Sequence, residues 1–405
     1  MLKSIITAIK KEMNIYTLIV IFAIPFIVNM IFGYQFKADQ IQNVSMAIYD
    51  EDNSSLSRMI VNQFIEDEMF EVNYFLDNKE DMQRLFDDSR VKIGLILPKD
   101  FGKDVMNAEA PKVLMVYDGS HIPIVSAAKS KASEILATLK IGMSMKVIEA
   151  KLNLPHDIAE KTALAVSFKS KYLYNPTKSY RAFLNIGMVM AAVQTGLALI
   201  VATAINYGML TRKKKDRIAS FFGKFIFFVL AGWSSFVLEL WINWKLFGVP
   251  FRGNFEDAVF LSLLLATAVT SFCMMLASFC VMFSVFIRIK QSILLVAVAI
   301  VFVPNSIMVG VTYPVIGMPK FYQVIANYYP FYHYSENIRE ILLKGRGLDT
   351  MQGDIIFFQK FIVITLVASL IMLLIPKVKS DSEKEEKEKI EKNMSGKEGD
   401  LNVAP

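Results

Sequence analysis

The apolar residues of this chain are collected into runs that are long enough to cross a membrane. A helix of about 20 apolar residues spans a hydrocarbon core, and six such runs occur in the 405 residues, of which 54% are hydrophobic. A soluble domain of similar composition spreads its apolar residues along the sequence. The spans are predicted at residues 16–33, 182–207, 224–247, 258–286, 293–311 and 355–376. The chain is therefore predicted to be an α-helical integral membrane protein with about six transmembrane helices.

The interval between the first two spans is predicted to be an inserted α/β domain. Runs of branched and aromatic residues predict strands at residues 44–49, 91–97 and 113–117. Helical patterns follow the polar residues 53–55 and Asn78, and a longer helical pattern reaches from about residue 120 to residue 152. Strands that alternate with helices indicate one layer of sheet, and roughly 145 residues are enough to bury a core.

Basic residues predict the orientation of the spans. Cytoplasmic loops are enriched in Lys and Arg, and each predicted inner position of this chain carries them. The basic positions lie at residues 3–11, 212–217, 288–290 and 377–379. Both termini are therefore predicted to be cytoplasmic, and the α/β domain is predicted to be extracytoplasmic.

The predicted organisation has five parts. Residues 1–14 would form a cytoplasmic amphipathic helix at the membrane surface, although a plain lead-in to the first span would fit the same residues. Residues 15–34 are the first span, 35–181 the extracytoplasmic domain, and 182–376 the remaining five spans. Residues 377–405 form a mixed-charge tail that is predicted to be disordered and cytoplasmic.

The fifth span and the stretch after it depart from a simple transmembrane pattern. Pro304 and Pro314 interrupt the span and its exit. Residues 322–343 mix aromatic and charged residues, which predicts an interfacial or re-entrant helix at the outer surface. Four aromatic residues are expected at headgroup level, namely Tyr328, Tyr329, Phe331 and Tyr332.

The sequence contains no recognisable enzyme site. It lacks the phosphate-binding motif G-x-x-x-x-G-K-[ST], the zinc motif H-E-x-x-H, and the motifs C-x-x-C and G-x-S-x-G. With only three histidines in the chain, neither a metal nor another cofactor is predicted on it. The net charge of +6 does not indicate nucleic-acid binding, because the basic residues flank apolar runs instead of forming a folded basic face.

Two polar residues inside the predicted spans are candidates for a translocation path. Glu239 lies in the third span, where an unpaired carboxylate is costly. It would line a substrate path, carry a proton, or serve as the structural partner of a nearby polar group. Gln194 lies near the centre of the second span and would either line the path or form an interhelical hydrogen bond.

Four short motifs follow one another along the chain. They are A-I-Y-D-E-D-N-S-S-L-S-R at residues 47–58, L-P-K-D-F at 97–101, V-Y-D-G-S at 116–120 and Y-N-P at 174–176. Phe183 and Gly187 follow the last of them. Together with one span, a large external domain and five further spans, they resemble the permease subunits of ABC exporters of the type-2 (ABC-2) class. Each motif is weak alone, but the set covers nearly the whole chain in the right order.

The resemblance implies a half-transporter in the bacterial cytoplasmic membrane. Two permease subunits, identical or paralogous, would pair and dock onto separate ABC ATPase subunits, which would hold the ATP and Mg²⁺. The resemblance also allows a periplasmic adaptor protein and membrane lipid as partners, and it implies no nucleic acid. The expected cargo is a lipophilic or amphiphilic small molecule, with efflux of drug-like compounds as the default.

The resemblance also implies where the ATPase would be contacted. The amphipathic helix and the inner loop would meet it, with candidate coupling residues Arg212, Lys213, Lys214, Lys215, Asp216 and Arg217. The family usually has an acidic, E-R-E-x-G-T-like stretch in this loop, whereas this chain has T-R-K-K-K-D-R-I-A-S. The contact then uses another charge pattern, or the subunit is the more weakly coupled member of a pair. Alternatively, the cluster mainly anchors the topology at anionic lipid.

Two other functions fit parts of the sequence. An ion-coupled carrier would use Glu239, but no inverted repeat is evident. A non-transporting surface or receptor protein would bind a partner through the α/β domain and use the spans as an anchor. Six spans exceed what anchoring requires, so the exporter permease is the leading hypothesis.

Overall fold

The chain divides into two compact units. The computed structural model describes residues 2–36, 40–164, 171–205, 207–210, 212–283, 291–303 and 305–374. One unit, called here the membrane unit, comprises Met1–Lys37 and Tyr174–Pro405, and the other, the inserted unit, is Ala38–Leu173. The basic turn predicted at residues 288–290 and the tail predicted at 377–405 lie outside the described residues.

Helices account for most of the described residues. In chain order they are α1 (Leu2–Glu12), α2 (Ile15–Leu18), α3 (Ile24–Gln35), α4 (Ser55–Glu66), α5 (Lys79–Asp87), α6 (Phe101–Met106), α7 (Ile122–Leu152), α8 (His156–Ala163), α9 (Ile186–Ala204), α10 (Tyr207–Leu210), α11 (Lys214–Lys245), α12 (Phe255–Phe283), α13 (Gln291–Phe302), α14 (Asn305–Met308), α15 (Lys320–Ala326), α16 (Pro330–Arg339) and α17 (Gln352–Leu374). Short π-helical segments lie at Ile19–Ala23, Arg181–Asn185 and Glu340–Lys344, and 3-10 segments at Val315–Gly317 and Leu348–Met351. The strands are β1 (Val44–Asp50), β2 (Phe70–Leu76), β3 (Ile93–Leu97) and β4 (Leu114–Tyr117).

Five helical stretches among the described residues are long and apolar enough to cross a membrane. They are Ile15–Gln35, Arg181–Ala204, Lys214–Lys245, Phe255–Phe283 and Leu348–Leu374. In place of the span predicted at 293–311, the structure has the short apolar helix α13 followed by α14. The sequence has Pro304 between these helices, and proline ends a helix because it has no N–H to donate. The prediction of a helical membrane protein with an inserted α/β domain is confirmed, with five long spans and one shorter apolar helix.

The basic cluster lies largely within a helix. α11 begins at Lys214, whereas the sequence predicts the third span from residue 224. Only Arg212 and Lys213 precede the helix, so the expectation of a basic loop over the whole cluster is wrong. Lysine, arginine and alanine are good helix formers, and the negative charge of Asp216 in the first turn is favourable beside the helix N-terminus.

The stretch after α14 is helical, as predicted, but part of its aromatic face is buried. Phe331 of α16 is completely buried, and its ring lies 6.0 Å from that of Tyr334. The Tyr334 hydroxyl lies 3.1 Å from the hydroxyl of Ser262 in α12. The predicted headgroup position of Phe331 is therefore wrong, because the apolar face of α16 packs into the core of the membrane unit. Tyr328, by contrast, is 71% exposed.

α1 is a separate helix that packs closely on α11. α1 ends at Glu12, and α2 begins at Ile15. The Asn14 side chain caps α2 by accepting a hydrogen bond from the Thr17 N–H at 2.9 Å. A Cβ atom on Gly223 would lie 2.8 Å from the carbonyl oxygen of Ile5 and 3.1 Å from the Cβ atom of Ala8. Glycine permits this approach because it has no side chain. A distinct helix, and not a continuous lead-in, therefore precedes the first span.

The inserted unit is built on a four-stranded sheet with the strand order β2-β1-β3-β4. β1 pairs in parallel with β2 and β3, and β3 pairs antiparallel with β4. On one face, Met46, Ile48 and Leu95 share a core with α4 and α7. On the other face, Ala47 and Ile96 pack with residues of α5. Helices thus cover both faces of the single sheet layer.

Local polar signals locate two helices of the inserted unit, whereas an edge strand escapes prediction. Ser54 caps α4 and Asn78 caps α5, each by accepting a hydrogen bond from a backbone N–H of the first turn. β2 is absent from the predicted strands. It is a strand at the edge of the sheet, and only Phe70 at its start is fully buried.

Replacement of Gly223 by valine is expected to displace α1 from α11, because the new side chain would collide with the backbone of α1. The displacement can be measured as maleimide labelling of Ala8→Cys in purified protein that carries Cys273→Ala and Cys280→Ala. Ala8 is only 5% exposed, so labelling should be slow with glycine at 223 and fast with valine. The control is Gly353→Val, whose Cβ would meet nothing within 4 Å. Equal labelling rates in the two variants would contradict the prediction.

Candidate functional site

The candidate coupling cluster divides into exposed and buried residues. Lys213, Lys214 and Lys215 are exposed, and within the described part of the chain their side chains form no hydrogen bond or ion pair. Arg217 is only 6% exposed. Its Nη1 donates to the carbonyl oxygen of Leu373 at 2.8 Å, and its Nη2 donates to that of Arg212 at 3.3 Å. Arg217 therefore acts as a structural link, whereas the three lysines are available to a partner.

The bond from Arg217 to Leu373 joins the start of α11 to the end of α17. Carbonyl groups in the last turn of a helix have no partner within that helix. A guanidinium group satisfies such a carbonyl, and its positive charge is favourable at a helix C-terminus. The burial of Arg217 is thus explained by its hydrogen bond to a carbonyl group of α17.

Two polar contacts hold α1 at the same end of the membrane unit. The Ser4 hydroxyl donates to the carboxylate of Asp216 at 3.0 Å. Lys224 forms an ion pair with Glu12 at 2.7 Å and donates to the carbonyl oxygen of Ala204, the last residue of α9, at 2.5 Å. Lys224 is only 6% exposed, so this ion pair is poorly screened by water. α1 and the three exposed lysines together are called here the coupling surface.

A second group of residues forms a buried polar cluster between the first span, the start of α9 and α11. Its members are Asn29, Asn185, Glu239 and Asn243, all with fully buried side chains. Asn29 donates to the Glu239 carboxylate at 2.6 Å, and Asn185 donates to the Asn243 side-chain oxygen at 2.5 Å. Asn243 donates to Asn29 at 3.3 Å and to the Glu239 carbonyl oxygen at 2.9 Å. The network joins three separate helical segments.

Glu239 retains an unused acceptor in this cluster. Its Oε2 accepts from Asn29, whereas its Oε1 has no hydrogen-bond partner among the described residues. Glu239 and Asn29 each lie six residues before the end of their helices, Lys245 and Gln35, or about 9 Å along the axis. Glu239 is therefore bonded to a nearby polar group through one oxygen, and its role in a substrate path or as a proton carrier stays a prediction.

Gln194 does not belong to this cluster. It lies nine residues beyond Asn185, which corresponds to about 14 Å along α9. It is 1% exposed, and neither its side-chain oxygen nor its side-chain nitrogen has a partner within the described residues. The structure thus shows no interhelical hydrogen bond from Gln194 in one chain, and its role in a translocation path stays a prediction.

The membrane unit therefore contains an exposed basic surface at the start of α11 and a buried polar cluster near the end of α11. Among the described residues, no group of three or more His, Cys, Asp or Glu side chains could hold a metal ion. In the part of the chain that the structure describes, neither the basic surface nor the polar cluster forms a constellation typical of covalent catalysis.

Comparison with known proteins identifies the kind of membrane protein. Residues 11–375 match the family described as ABC-2 family transporter protein. The chain belongs to this family. It is 20% identical over 343 residues to the probable multidrug ABC transporter permease YbhR of Escherichia coli (strain K12), which covers 83% of this chain and 87% of the relative. It is 24% identical over 384 residues to the linearmycin resistance permease protein LnrN of Bacillus subtilis (strain 168), which covers 89% of this chain and 94% of the relative.

No solved structure gives a significant match. As an ABC-2 family protein, the chain is a membrane permease of an ABC transporter, and its relatives carry names of multidrug and resistance permeases. The resemblance noted in the sequence is thereby confirmed. The side of the membrane on which the inserted unit lies stays a prediction.

Glu239 is recognisable in the sequence, but the residues that surround it are not. Asn29, Asn185 and Asn243 are polar residues inside or beside predicted spans, and this was the available signal. Each lies a turn or two from the predicted outer end of its span. Pairing them with Glu239 requires the relative register of three helices, which a single sequence does not contain.

The polar cluster predicts a contrast between two substitutions of Glu239. Glu239→Leu leaves the Asn29 amide without its acceptor and should destabilise the protein by about 1–3 kcal/mol. Glu239→Gln keeps an acceptor oxygen and should melt close to the unmodified chain. Thermal unfolding of the purified protein checks both expectations.

Gln194→Leu is the matched control for this contrast. It also replaces a buried polar side chain by an apolar one, but Gln194 has no partner in the described chain. Its melting temperature should be unchanged or raised, because an unpaired buried amide is costly. If Glu239→Leu proved as stable as Gln194→Leu, the cluster would have no structural weight.

Proposed function

We propose that the chain forms the translocation path of an ATP-driven exporter for lipophilic or amphiphilic small molecules. A separate ABC ATPase subunit supplies the energy and binds ATP and Mg²⁺, and this chain holds no cofactor. The family match over residues 11–375 carries the proposal. The names of the relatives, a probable multidrug permease and a linearmycin resistance permease, support efflux of such compounds.

The partners follow from the same proposal. A second permease subunit, identical or paralogous, completes the path. A periplasmic adaptor protein and membrane lipid are further partners. The permease lies in the bacterial cytoplasmic membrane with both termini inside and residues 35–181 outside. The distribution of basic residues supports this orientation.

The coupling surface is proposed to receive the ATPase. Lys213, Lys214 and Lys215 are the free charges of the cluster, and they suit an acidic surface on the partner. Arg217 and Asp216 position them by fixing the start of α11 to α17 and α1. In this proposal, a movement of the ATPase against the lysines reaches two other helices, α17 and α1, through these bonds.

Simultaneous replacement of Lys213, Lys214 and Lys215 by alanine should weaken the complex with the ATPase without unfolding the permease. Exposed charge pairs contribute about 0.2–1 kcal/mol each, so three of them correspond to roughly a tenfold loss of affinity. The experiment is a mild-detergent pull-down of the tagged protein from its native membrane, with mass identification of partners and an ATPase assay.

The matched control removes three exposed lysines of the inserted unit, by Lys79→Ala, Lys99→Ala and Lys112→Ala. The control variant has the same change in net charge, but its lysines lie outside the coupling surface. It should therefore retain the ATPase. If both variants bound the ATPase equally, the coupling surface would be wrongly assigned. An unmodified chain that comes down alone, without ATPase activity, would instead favour the surface-protein alternative.

The ion-coupled carrier rests on the free oxygen of Glu239, and transport by the protein reconstituted in lipid vesicles with its ATPase tests it. Glu239→Gln removes the charge but keeps an acceptor for Asn29. Transport that continues in this variant and depends on ATP supports the exporter, whereas loss of an ATP-independent transport activity would support the carrier.

A further inference from the structure

The inserted unit contains a cavity of about 590 Å³ along the C-terminal half of α7. Its walls are Ile60 of α4, Phe101 and Val105 of α6, the loop 108–113, and one face of α7 between Leu136 and Ile148. The wall that α7 provides is about 18 Å long. Cavities of roughly 300–1,000 Å³ are typical of small-molecule sites in proteins.

Most of the residues that line this cavity have apolar side chains. Of its fifteen lining residues, only Glu109, Lys140 and Ser144 have polar side chains. Along the α7 wall, Met143 is fully buried, but the neighbouring apolar residues are only half-buried. Apolar surface that remains in contact with water is unfavourable, and an apolar ligand would remove it from water.

The loop 108–113, which lines the cavity, begins with a hydrogen-bonded turn. The Glu109 N–H donates to the carbonyl oxygen of Asp104 at 2.9 Å, and the Ala108 N–H donates to that of Val105 at 3.0 Å. Ala108 has a φ of 64°, in the left-handed region that is unfavourable for alanine. This helix-ending turn places 108–113 beside α7 as a wall, instead of continuing α6.

The charges at the cavity indicate the other half of the ligand. Lys140 and Glu109 are both exposed, and neither side chain has a hydrogen-bond or ion-pair partner within the described residues. One unpaired cation and one unpaired anion beside an apolar groove are complementary to a headgroup that carries both charges. An uncharged apolar molecule would use the walls but leave these charges unmatched.

We infer that this cavity binds a single-chain amphiphile, with its apolar chain along α7 and a zwitterionic headgroup at Lys140 and Glu109. The ligand is either a membrane lipid or a solute of the same chemistry. This site is separate from the buried polar cluster and from the coupling surface, and its existence does not require that the chain export anything.

The test uses the full chain in lipid nanodiscs with a lysophosphatidylcholine that carries a diazirine on its acyl chain. After photolysis and digestion, mass spectrometry should find labelled peptides that cover residues 101–113 and 136–148. Unlabelled lysophosphatidylcholine should compete for this labelling, and a long-chain alcohol should compete less well. If unlabelled lysophosphatidylcholine did not reduce the labelling of these peptides, the proposal would be overturned. If the alcohol competed equally well, the assignment of a zwitterionic headgroup would be overturned.

Two pairs of variants make the test specific. Ser144→Trp fills the cavity and should abolish the labelling of both peptides, whereas Ser133→Trp, at an exposed position of the same helix, should not. Lys140→Ala should lower the labelling several-fold, whereas Lys146→Ala, which removes an exposed lysine outside the lining, should not. Labelling that is unaffected by Ser144→Trp would place the probe elsewhere and overturn the proposal.

Lipid extraction of the purified, unlabelled chain distinguishes the two sources of the ligand. A lipid that is retained by the unmodified chain and lost from Ser144→Trp identifies the ligand as a membrane lipid. If the probe binds but no retained lipid is lost from Ser144→Trp, the natural ligand is a solute of the same chemistry. None of these measurements involves the ATPase, so failure of the exporter proposal and failure of this one are distinguishable.

Discussion

The helices of the membrane unit are joined at buried polar groups, where a side chain of one helix pairs with a backbone or side-chain group of another. Arg217 satisfies a carbonyl at the end of α17, and Lys224 satisfies one at the end of α9. Both cations come from α11, which therefore connects the ends of two other spans. A buried carbonyl group without a partner is costly, so these bonds are expected to hold the ends of the helices together. α1 joins the same arrangement through its ion pair with Lys224.

This constraint separates residues that look alike in the sequence. The basic run from Arg212 to Arg217 is one cluster of charge, but its members have different surroundings. Arg217 is buried and forms a hydrogen bond within the chain, whereas Lys213 to Lys215 are exposed. A substitution of the whole cluster would therefore mix a folding defect with loss of a contact. The departure from the acidic pattern usual in the family concerns the free lysines, and these carry the coupling hypothesis.

Much of the fold could be predicted because local chemistry determines it. The long apolar runs mark the spans, and Ser54 and Asn78 mark helix starts in the inserted unit. The edge strand β2 is less evident, because its pairing with β1 depends on residues distant in the sequence. Glu239 was recognisable as a buried acid, but its contact with Asn29 depends on how α3 and α11 pack. The cavity beside α7 depends on the turn at Ala108, and no sequence motif predicts this turn.

The two binding features that the structure adds differ in the chemistry that they offer. The cavity of the inserted unit has largely apolar walls, and its charged residues are exposed. The polar cluster of the membrane unit is fully buried, and it holds a carboxylate oxygen without a donor. An amphiphile needs both kinds of surface, because its chain gains from leaving water and its headgroup loses unless each polar atom finds a partner. A path for such a molecule across the membrane must supply polar partners where the lipid supplies none, and Glu239 and Gln194 are among the described residues of the spans that have unpaired polar side-chain atoms.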